Sequence, residues 1–234
     1  MRTVLVAAAA SSFAIVQGWA YALPALPNGK RLELLTESWS RAGTGGTVWT
    51  SALVMCRWQA RHAERIEGAD ILELGSGTGA AGLQAAGLGA RRVCLSDGGP
   101  EEILELLRRN VARNRHKLPR ATAVDVVPLR WGRDEPPAQK YDLVMGSDVC
   151  YQEEAREALC VTLSQVLRRS GGAARAVLAH EHRSKAGSLE AFLEAAAVHG
   201  LACTTLHVEE GMVNDALEAR AYAYKVSVVE ARLS

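Results

Sequence analysis

The chain lacks an excess of charge of either sign. Its 234 residues carry 27 Lys and Arg against 26 Asp and Glu, a formal net charge of +1. A strongly basic balance is the electrostatic footprint of a nucleic-acid-binding domain, and none shows at this level. It also lacks a cysteine framework. The five cysteines (Cys56, Cys94, Cys150, Cys160 and Cys203) are odd in number, irregularly spaced and contain no CxxC pair. That pattern argues against a disulfide scaffold and against a structural zinc site, and favours buried reduced thiols. No internal repeat is visible, and no apolar run is long enough to span a bilayer. What is present suits one soluble globular domain: 48% hydrophobic residues, enough for a sizeable core, and 23% charged residues.

The first residues admit two readings. Met1 to Ala22 places one Arg ahead of an Ala-rich apolar run, and Ala20-Tyr21-Ala22 has the small-x-small form of a cleavage site. Ser11, Ser12 and Gln17 break that run, and the cysteine pattern is not that of a secreted protein. The competing reading, adopted here, is a strand pair, Phe13 to Leu23 and Lys30 to Leu35, joined by a turn at Pro27-Asn28-Gly29. Residues 1–46 then form an N-terminal extension and 47–234 the main domain.

After Thr47 helical and strand patterns alternate. Helices are expected over Thr47 to Ala60, Gly79 to Leu88, Glu101 to Arg115, Gln152 to Arg169 and Ser188 to His199. Strands are expected over Asp70 to Leu74, Arg92 to Ser96, Ala121 to Leu129, Tyr141 to Ser147, Ala174 to Ala179, Leu201 to Val208 and Ala221 to Val229. This alternation implies an α/β fold, a largely parallel sheet covered by helices on both faces. The last two strands have no helix-length segment between them, so the final strand is expected antiparallel, closing a hairpin. Gly43 to Gly46 and Arg133 to Gln139 are loops. Ligands of such sheets bind beyond the carboxyl ends of the strands, where strand order reverses.

The strongest chemical signal is Ile71-Leu72-Glu73-Leu74-Gly75-Ser76-Gly77-Thr78-Gly79. A buried strand enters three alternate glycines and then a helix, whose first N–H groups are unpaired. Twenty-two residues after Gly75 stands Asp97, at the end of the next strand, where an acid can accept both hydroxyls of a ribose. A dinucleotide site is the rival, since Gly75, Gly77 and Ala80 satisfy G-x-G-x-x-G/A. Glu73 argues against it. A carboxylate there sits badly beside a pyrophosphate and well beside a sulfonium or an ammonium group. Gly79 also falls one place early for the dinucleotide pattern.

E-L-G-S-G-T-G resembles motif I of the seven-stranded class I methyltransferases, and Asp97 resembles their ribose-binding acid. Asp148-x-x-Tyr151 at the end of the fourth strand resembles the D-x-x-Y element of the family 16 methyltransferases. Leu129-Arg130-Trp131-Gly132 resembles the L-x-W-G stretch of the same family, and Trp49 stands in the expected order ahead of both. That family includes protein-lysine methyltransferases acting on chaperones, elongation factors and calmodulin. The resemblance runs from about Lys30 to Val229. It implies a Rossmann-like seven-stranded sheet, S-adenosyl-L-methionine as cofactor, no metal, and a protein lysine as acceptor, in a cytoplasmic monomer with no membrane or nucleic-acid partner. It implies cofactor contacts from Trp49, Glu73, Gly75, Ser76, Gly77, Gly79, Asp97, Trp131 and Ser147, and catalytic roles for Asp148 and Tyr151.

Other readings stand beside it: another acceptor, such as a histidine ring or a small metabolite, a nicotinamide-dependent oxidoreductase, or a silent module that keeps the fold. Three features are read as structural. His180-Glu181-His182 lacks a third metal ligand and is taken as a polar loop at the rim. Arg108, Arg109, Arg113, Arg115, Lys117 and Arg120 are taken as a solvated face. Cys150, with no histidine paired to it, is taken as packing.

Overall fold

The computed structural model describes residues 14–16, 23–182, 188–206 and 225–234. The strands are β1 (Ala14–Val16), β2 (Leu34–Thr36), β3 (Asp70–Leu74), β4 (Arg92–Asp97), β5 (Ala123–Pro128), β6 (Leu143–Ser147), β7 (Arg175–His182), β8 (Leu201–Leu206) and β9 (Lys225–Leu233). The helices are α1 (Trp39–Ala42), α2 (Thr50–Arg61), α3 (Ala80–Gly87), α4 (Glu101–Asn114), α5 (Glu153–Ser170) and α6 (Ser188–Val198). Among the described residues no helix is long and apolar enough to cross a membrane.

Seven strands form one sheet in the order β5-β4-β3-β6-β7-β9-β8. The pairs β3–β4, β4–β5, β3–β6 and β6–β7 are parallel, and β9 runs antiparallel to both neighbours, β7 and β8. The fold is thus the expected Rossmann-like α/β sheet with its last strand reversed. The reversed strand inserts between β7 and β8 instead of ending the sheet. Strand order reverses at β3, which has β4 on one side and β6 on the other, so the crevice opens beyond the ends of β3, β4 and β6.

Both faces of the central strands β3, β4, β6 and β7 are buried, as a parallel sheet requires. β3 shows the alternation: Ile71 packs into one core with Val54 and Trp58 of α2, Leu83 of α3 and Leu107 of α4. Leu72 and Leu74 pack into the other, with Leu159 and Leu163 of α5 and Phe192 of α6. Burying a leucine or phenylalanine side chain contributes about 1.5–3 kcal/mol, so the two cores dominate the stability of the sheet. In α4 the apolar stripe lies where the sequence puts it, with Ile103, Leu104, Leu106 and Leu107 all buried.

The N-terminal strand pair differs from expectation. β1 pairs antiparallel with β2, Ala14 opposite Thr36, in a separate two-stranded sheet. Leu23 to Leu26 is not strand. The turn at Pro27-Asn28-Gly29 does form, with the Gly29 amide donating to the Leu26 carbonyl at 2.8 Å and Gly29 at φ 76°, but it does not join the two strands. Most of Met1 to Ala22 lies outside the described residues. Leu23, Leu26, Leu32 and Leu34 are each nearly inaccessible and pack into the α2–α3–α4 core. Two asparagines one turn apart on α4 stand in for a partner strand to Glu33–Leu35. Asn110 accepts from the Leu35 amide at 2.7 Å, and Asn114 accepts from the Glu33 amide at 2.9 Å. Their side-chain amides donate back to the Leu35 carbonyl (3.1 Å) and the Glu33 carbonyl (2.8 Å).

Candidate functional site

The three glycines after β3 do different work. Gly75 has φ 67°, and a Cβ there would lie 2.9 Å from a Val149 methyl and 3.2 Å from the Trp131 ring. Gly77 has φ 51°, and its Cβ would lie 2.9 Å from the Gly45 carbonyl oxygen. Only glycine reaches these left-handed conformations with so little room. Gly79, φ 79°, is the N-cap of α3. Its missing side chain makes room for Leu107, whose Cδ1 would be 2.5 Å from a Cβ. Gly79 is not among the residues facing the cavity.

Around Gly75 and Gly77 opens a cavity of about 620 Å³, within the range of small-molecule sites. Trp49, Glu73, Gly75, Ser76, Gly77, Asp97, Trp131, Ser147, Asp148 and Tyr151 all line it. So do Thr44 and Gly45, Gly98 and Gly99, Leu129, Val149 and Gln152, to none of which the sequence assigns a contact. A signal for the first pair existed in the glycine density of Gly43 to Gly46 just ahead of Trp49.

Asp97 is held by two backbone donors. Gly77 donates to its Oδ2 at 2.9 Å and Gly99 to its Oδ1 at 2.8 Å. Burial raises its pKa, opposed by these glycine amides. Glu73 is almost wholly buried. Burial pushes its carboxyl up to about 8, against hydrogen bonds from Ser76 and the Gly82 amide, with the nearby Asp97 charge pushing the same way as burial. The Gly82 amide donates to its Oε2 at 3.2 Å, and a Cβ on Gly82 would sit 2.6 Å from that oxygen. A buried glycine inside a helix therefore marks the place where the Glu73 carboxyl lies against α3. Ser96 and Ser76 brace the strand ends: Ser96 Oγ donates to the Glu73 carbonyl at 2.6 Å, and the Ser96 amide donates to Ser76 Oγ at 3.1 Å.

Beside the glycine loop, Asp148 follows β6 at φ 57°, the single non-glycine residue with positive φ among the described residues. Aspartate tolerates this region better than most side chains, yet it costs of order 1–3 kcal/mol, and such positions cluster at functional sites. The Asp148 amide donates to the Ala179 carbonyl of β7 at 2.8 Å, and the residue is 5% exposed. Tyr151 Oη donates to Thr44 Oγ1 (3.4 Å) and accepts from Gln152 Nε2 (2.9 Å). Trp49 Nε1 donates to the Thr44 carbonyl at 2.9 Å.

The cavity fits a polar ligand. Trp131 Nε1 and Ser147 Oγ, on two lining residues, are buried with no hydrogen-bond partner among the described residues, and such orphans call for an occupant.

The three features read as structural take these places. β7 continues through His180-Glu181-His182, paired to Ser227, Val226 and Lys225 of β9, so this stretch is strand and not a rim loop. His180 and Glu181 are buried, and no group of three metal-binding side chains exists among the described residues. The basic run is tied down rather than merely solvated: Arg113 and Lys117 both pair with Glu33 at 2.7 Å, and Arg115 donates to the Thr122 carbonyl at 2.8 Å. Cys150 is buried and its thiol is pushed well up by that burial, as packing requires.

With this geometry in hand, likeness to known proteins is specific. Residues 28–197 match the lysine methyltransferase family model. The chain is 39% identical over 136 residues to protein N-lysine methyltransferase METTL21A of Danio rerio, covering 56% of this chain and 60% of that protein. It is 33% identical over 136 residues to EEF1A lysine methyltransferase 3 of Mus musculus, covering 58% of this chain and 56% of that protein. The chain thus spans about six tenths of the length of the curated relatives it matches. In fold it resembles a TehB-like SAM-dependent methyltransferase from Corynebacterium glutamicum (TM-score 0.54, 20% identity, 83% of this chain and 93% of that one). It also resembles magnesium protoporphyrin IX methyltransferase from Synechocystis PCC 6803, solved with bound SAM (TM-score 0.52, 18% identity, 79% and 78% covered). The family match takes in the glycine loop, Asp97, Trp131 and Asp148 to Tyr151, and this chain belongs to the lysine methyltransferase family.

Proposed function

We propose that this protein transfers the methyl group of S-adenosyl-L-methionine to the ε-amine of a lysine in a protein substrate. One observation carries the reading: the glycine loop with its two acids and the Asp148–Tyr151 element, far apart in sequence, line a single cavity. The names of the relatives, both protein-lysine methyltransferases, support the same acceptor.

Gly75, Ser76 and Gly77 let the protein backbone approach the cofactor closely, Asp97 accepts its ribose hydroxyls, and Glu73 faces its cationic amino-acid end. Trp131 and Ser147 supply the unpaired N–H and hydroxyl, and Trp49 walls the site. When bound, the cofactor supplies a methyl already activated on a sulfonium, so the protein's task is orientation. A lysine has a reference pKa near ~10.4, so under ~1% is neutral at pH 7. Asp148 holds the acceptor nitrogen and steadies the departing proton at its carboxylate, while the faces of Tyr151 and Trp49 contact cationic groups. In our reading the protein acts as a cytoplasmic monomer on a protein partner; five free cysteines fit a reducing compartment.

The test is calorimetric titration with S-adenosylhomocysteine beside NAD(H) and NADP(H). Micromolar binding of the first alone is expected. Binding of a nicotinamide cofactor instead would overturn the reading.

A further inference from the structure

The Gly43–Gly46 segment, a 3₁₀ turn between α1 and α2, looks like a linker in sequence, yet it forms part of the cavity wall. Its base is fixed to the preceding chain, the Glu37 amide donating to the Gly46 carbonyl at 2.9 Å. Its middle lies directly on the glycine loop. A Cβ on Gly45 would lie 3.6 Å from Gly77 Cα and 2.7 Å from Ile103 Cδ1, and one on Gly77 would lie 2.9 Å from the Gly45 carbonyl. A side chain at Gly77 could not enter this contact without moving one loop off the other, and one at Gly45 would have to displace the end of Ile103.

Thr44 sits at the crossing point of this segment and is bonded in two directions. Its carbonyl accepts from Trp49 Nε1 at 2.9 Å, which ties it to the start of α2. Its hydroxyl accepts from Tyr151 Oη at 3.4 Å, and Tyr151 Oη accepts in turn from Gln152 Nε2 at 2.9 Å. The chain Trp49–Thr44–Tyr151–Gln152 therefore runs from the N-terminal wall of the cavity to the wall built by the β6–α5 connection, and all four residues line the cavity. The 3.4 Å link is the longest in the chain and beyond the usual O–H···O range, so the bridge parts most easily between Thr44 and Tyr151.

We infer that Thr44 is a positioning residue that latches the Gly43–Gly46 segment across the cofactor cavity by binding the Tyr151 hydroxyl. The inference rests on the cofactor reading above and adds to it a residue and a mechanical role. A ligand seated on Gly75 and Gly77 lies beneath this bridge, so its departure requires Thr44 and Tyr151 to separate. The same bond sets where the Tyr151 ring stands relative to Asp148, which links the cofactor side of the cavity to the acceptor side.

The experiment is stopped-flow dissociation of S-adenosylhomocysteine from four full-length proteins: wild type, Thr44→Val, Tyr151→Phe and the double variant. Thr44→Val keeps the shape and removes the hydroxyl. Each single variant is expected to release the ligand faster by about twofold to fivefold, up to the scale of one neutral hydrogen bond. The double variant should release it no faster than Tyr151→Phe alone, because Thr44→Val then removes a bond that is already gone. Thr44→Ser should restore the wild-type rate, and the ligand-free melting temperatures should agree across the set to within about 2–4 °C, the shift that loss of one such bond allows. A Thr44→Val rate equal to wild type, or single effects that multiply in the double variant, would overturn the latch while leaving the cofactor reading intact. If the wild type binds no S-adenosylhomocysteine, the cofactor reading fails and the latch with it.

Discussion

The side-chain amide of Asn110 donates to the Thr78 carbonyl at 2.9 Å, so a helix residue 32 positions away holds the glycine loop from behind. The same side chain accepts from the Leu35 amide and donates to the Leu35 carbonyl. One fully buried asparagine thus joins the N-terminal segment, α4 and the glycine loop. Asn110→Ala strands three buried backbone groups, each costing about 1–3 kcal/mol. Urea unfolding should show a loss of about 3 kcal/mol or more, together with weaker S-adenosylhomocysteine binding. A loss below about 1 kcal/mol would show that the bridge is not needed.

Glu73 makes stability and binding depend on pH. Its folded-state pKa is pushed up to about 8 by burial, above the ordinary value of 4.5. Between those values the folded protein holds the proton more tightly than the unfolded chain, so this residue's contribution to stability falls as pH rises through the window. Glu73→Gln should therefore unfold at higher denaturant than wild type at pH 8, with the difference vanishing below about pH 4.5. A ligand whose cationic end needs the carboxylate should release a proton on binding near pH 7. Calorimetry in buffers of different ionisation enthalpy reads that proton, and Glu73→Gln should abolish it. Buffer-independent heats in the wild type would contradict the assignment.

Asp148 combines a charge with an unusual backbone. Asp148→Ala should bind S-adenosylhomocysteine nearly as wild type yet lose methyl transfer. Asp148→Asn separates the two properties, since asparagine tolerates φ 57° and carries no charge. Its transfer rate should fall by about 10²–10⁴-fold, the span of a positioned acid–base group. Full activity in Asp148→Asn would remove the carboxylate from the mechanism.

Gly77 is a point of contact between two loops. Gly77→Ala sets a Cβ at φ 51° and 2.9 Å from the Gly45 carbonyl, at a strain of about 1–2 kcal/mol. Thermal melting should fall by a few degrees and S-adenosylhomocysteine affinity should drop. Gly77→Arg should eliminate binding. Wild-type affinity in both would show that the loop does not form the cofactor seat.

Much of this was legible in the sequence because it is local. The glycine loop, the amphipathic stripe of α4 and the acid after β4 each announce themselves within a few residues, and the helix and strand limits expected between Thr47 and His199 fall within about three residues of those observed. The structure brings every proposed site residue except Gly79 to the cavity wall. What sequence hid is what depends on tertiary contact. Gly82 reads as a weak helix residue until Glu73 Oε2 is found against it. Asn110 reads as an interruption of an amphipathic helix until Leu35 and Thr78 are found at its amide. Thr44 reads as loop because its partners, Trp49 and Tyr151, come from elements on either side of the cavity. The His180-Glu181-His182 stretch reads as loop because its polarity hides the pairing with β9.

The most direct test of the central claim is transfer from methyl-labelled S-adenosylmethionine into cell-lysate protein by the wild-type chain, followed by acid hydrolysis and amino-acid analysis of the labelled product. Label is expected in methylated lysine, and none with Asp148→Asn. Label in methylhistidine or in a small molecule would contradict the lysine acceptor, and no label despite tight S-adenosylhomocysteine binding would contradict the enzyme activity itself.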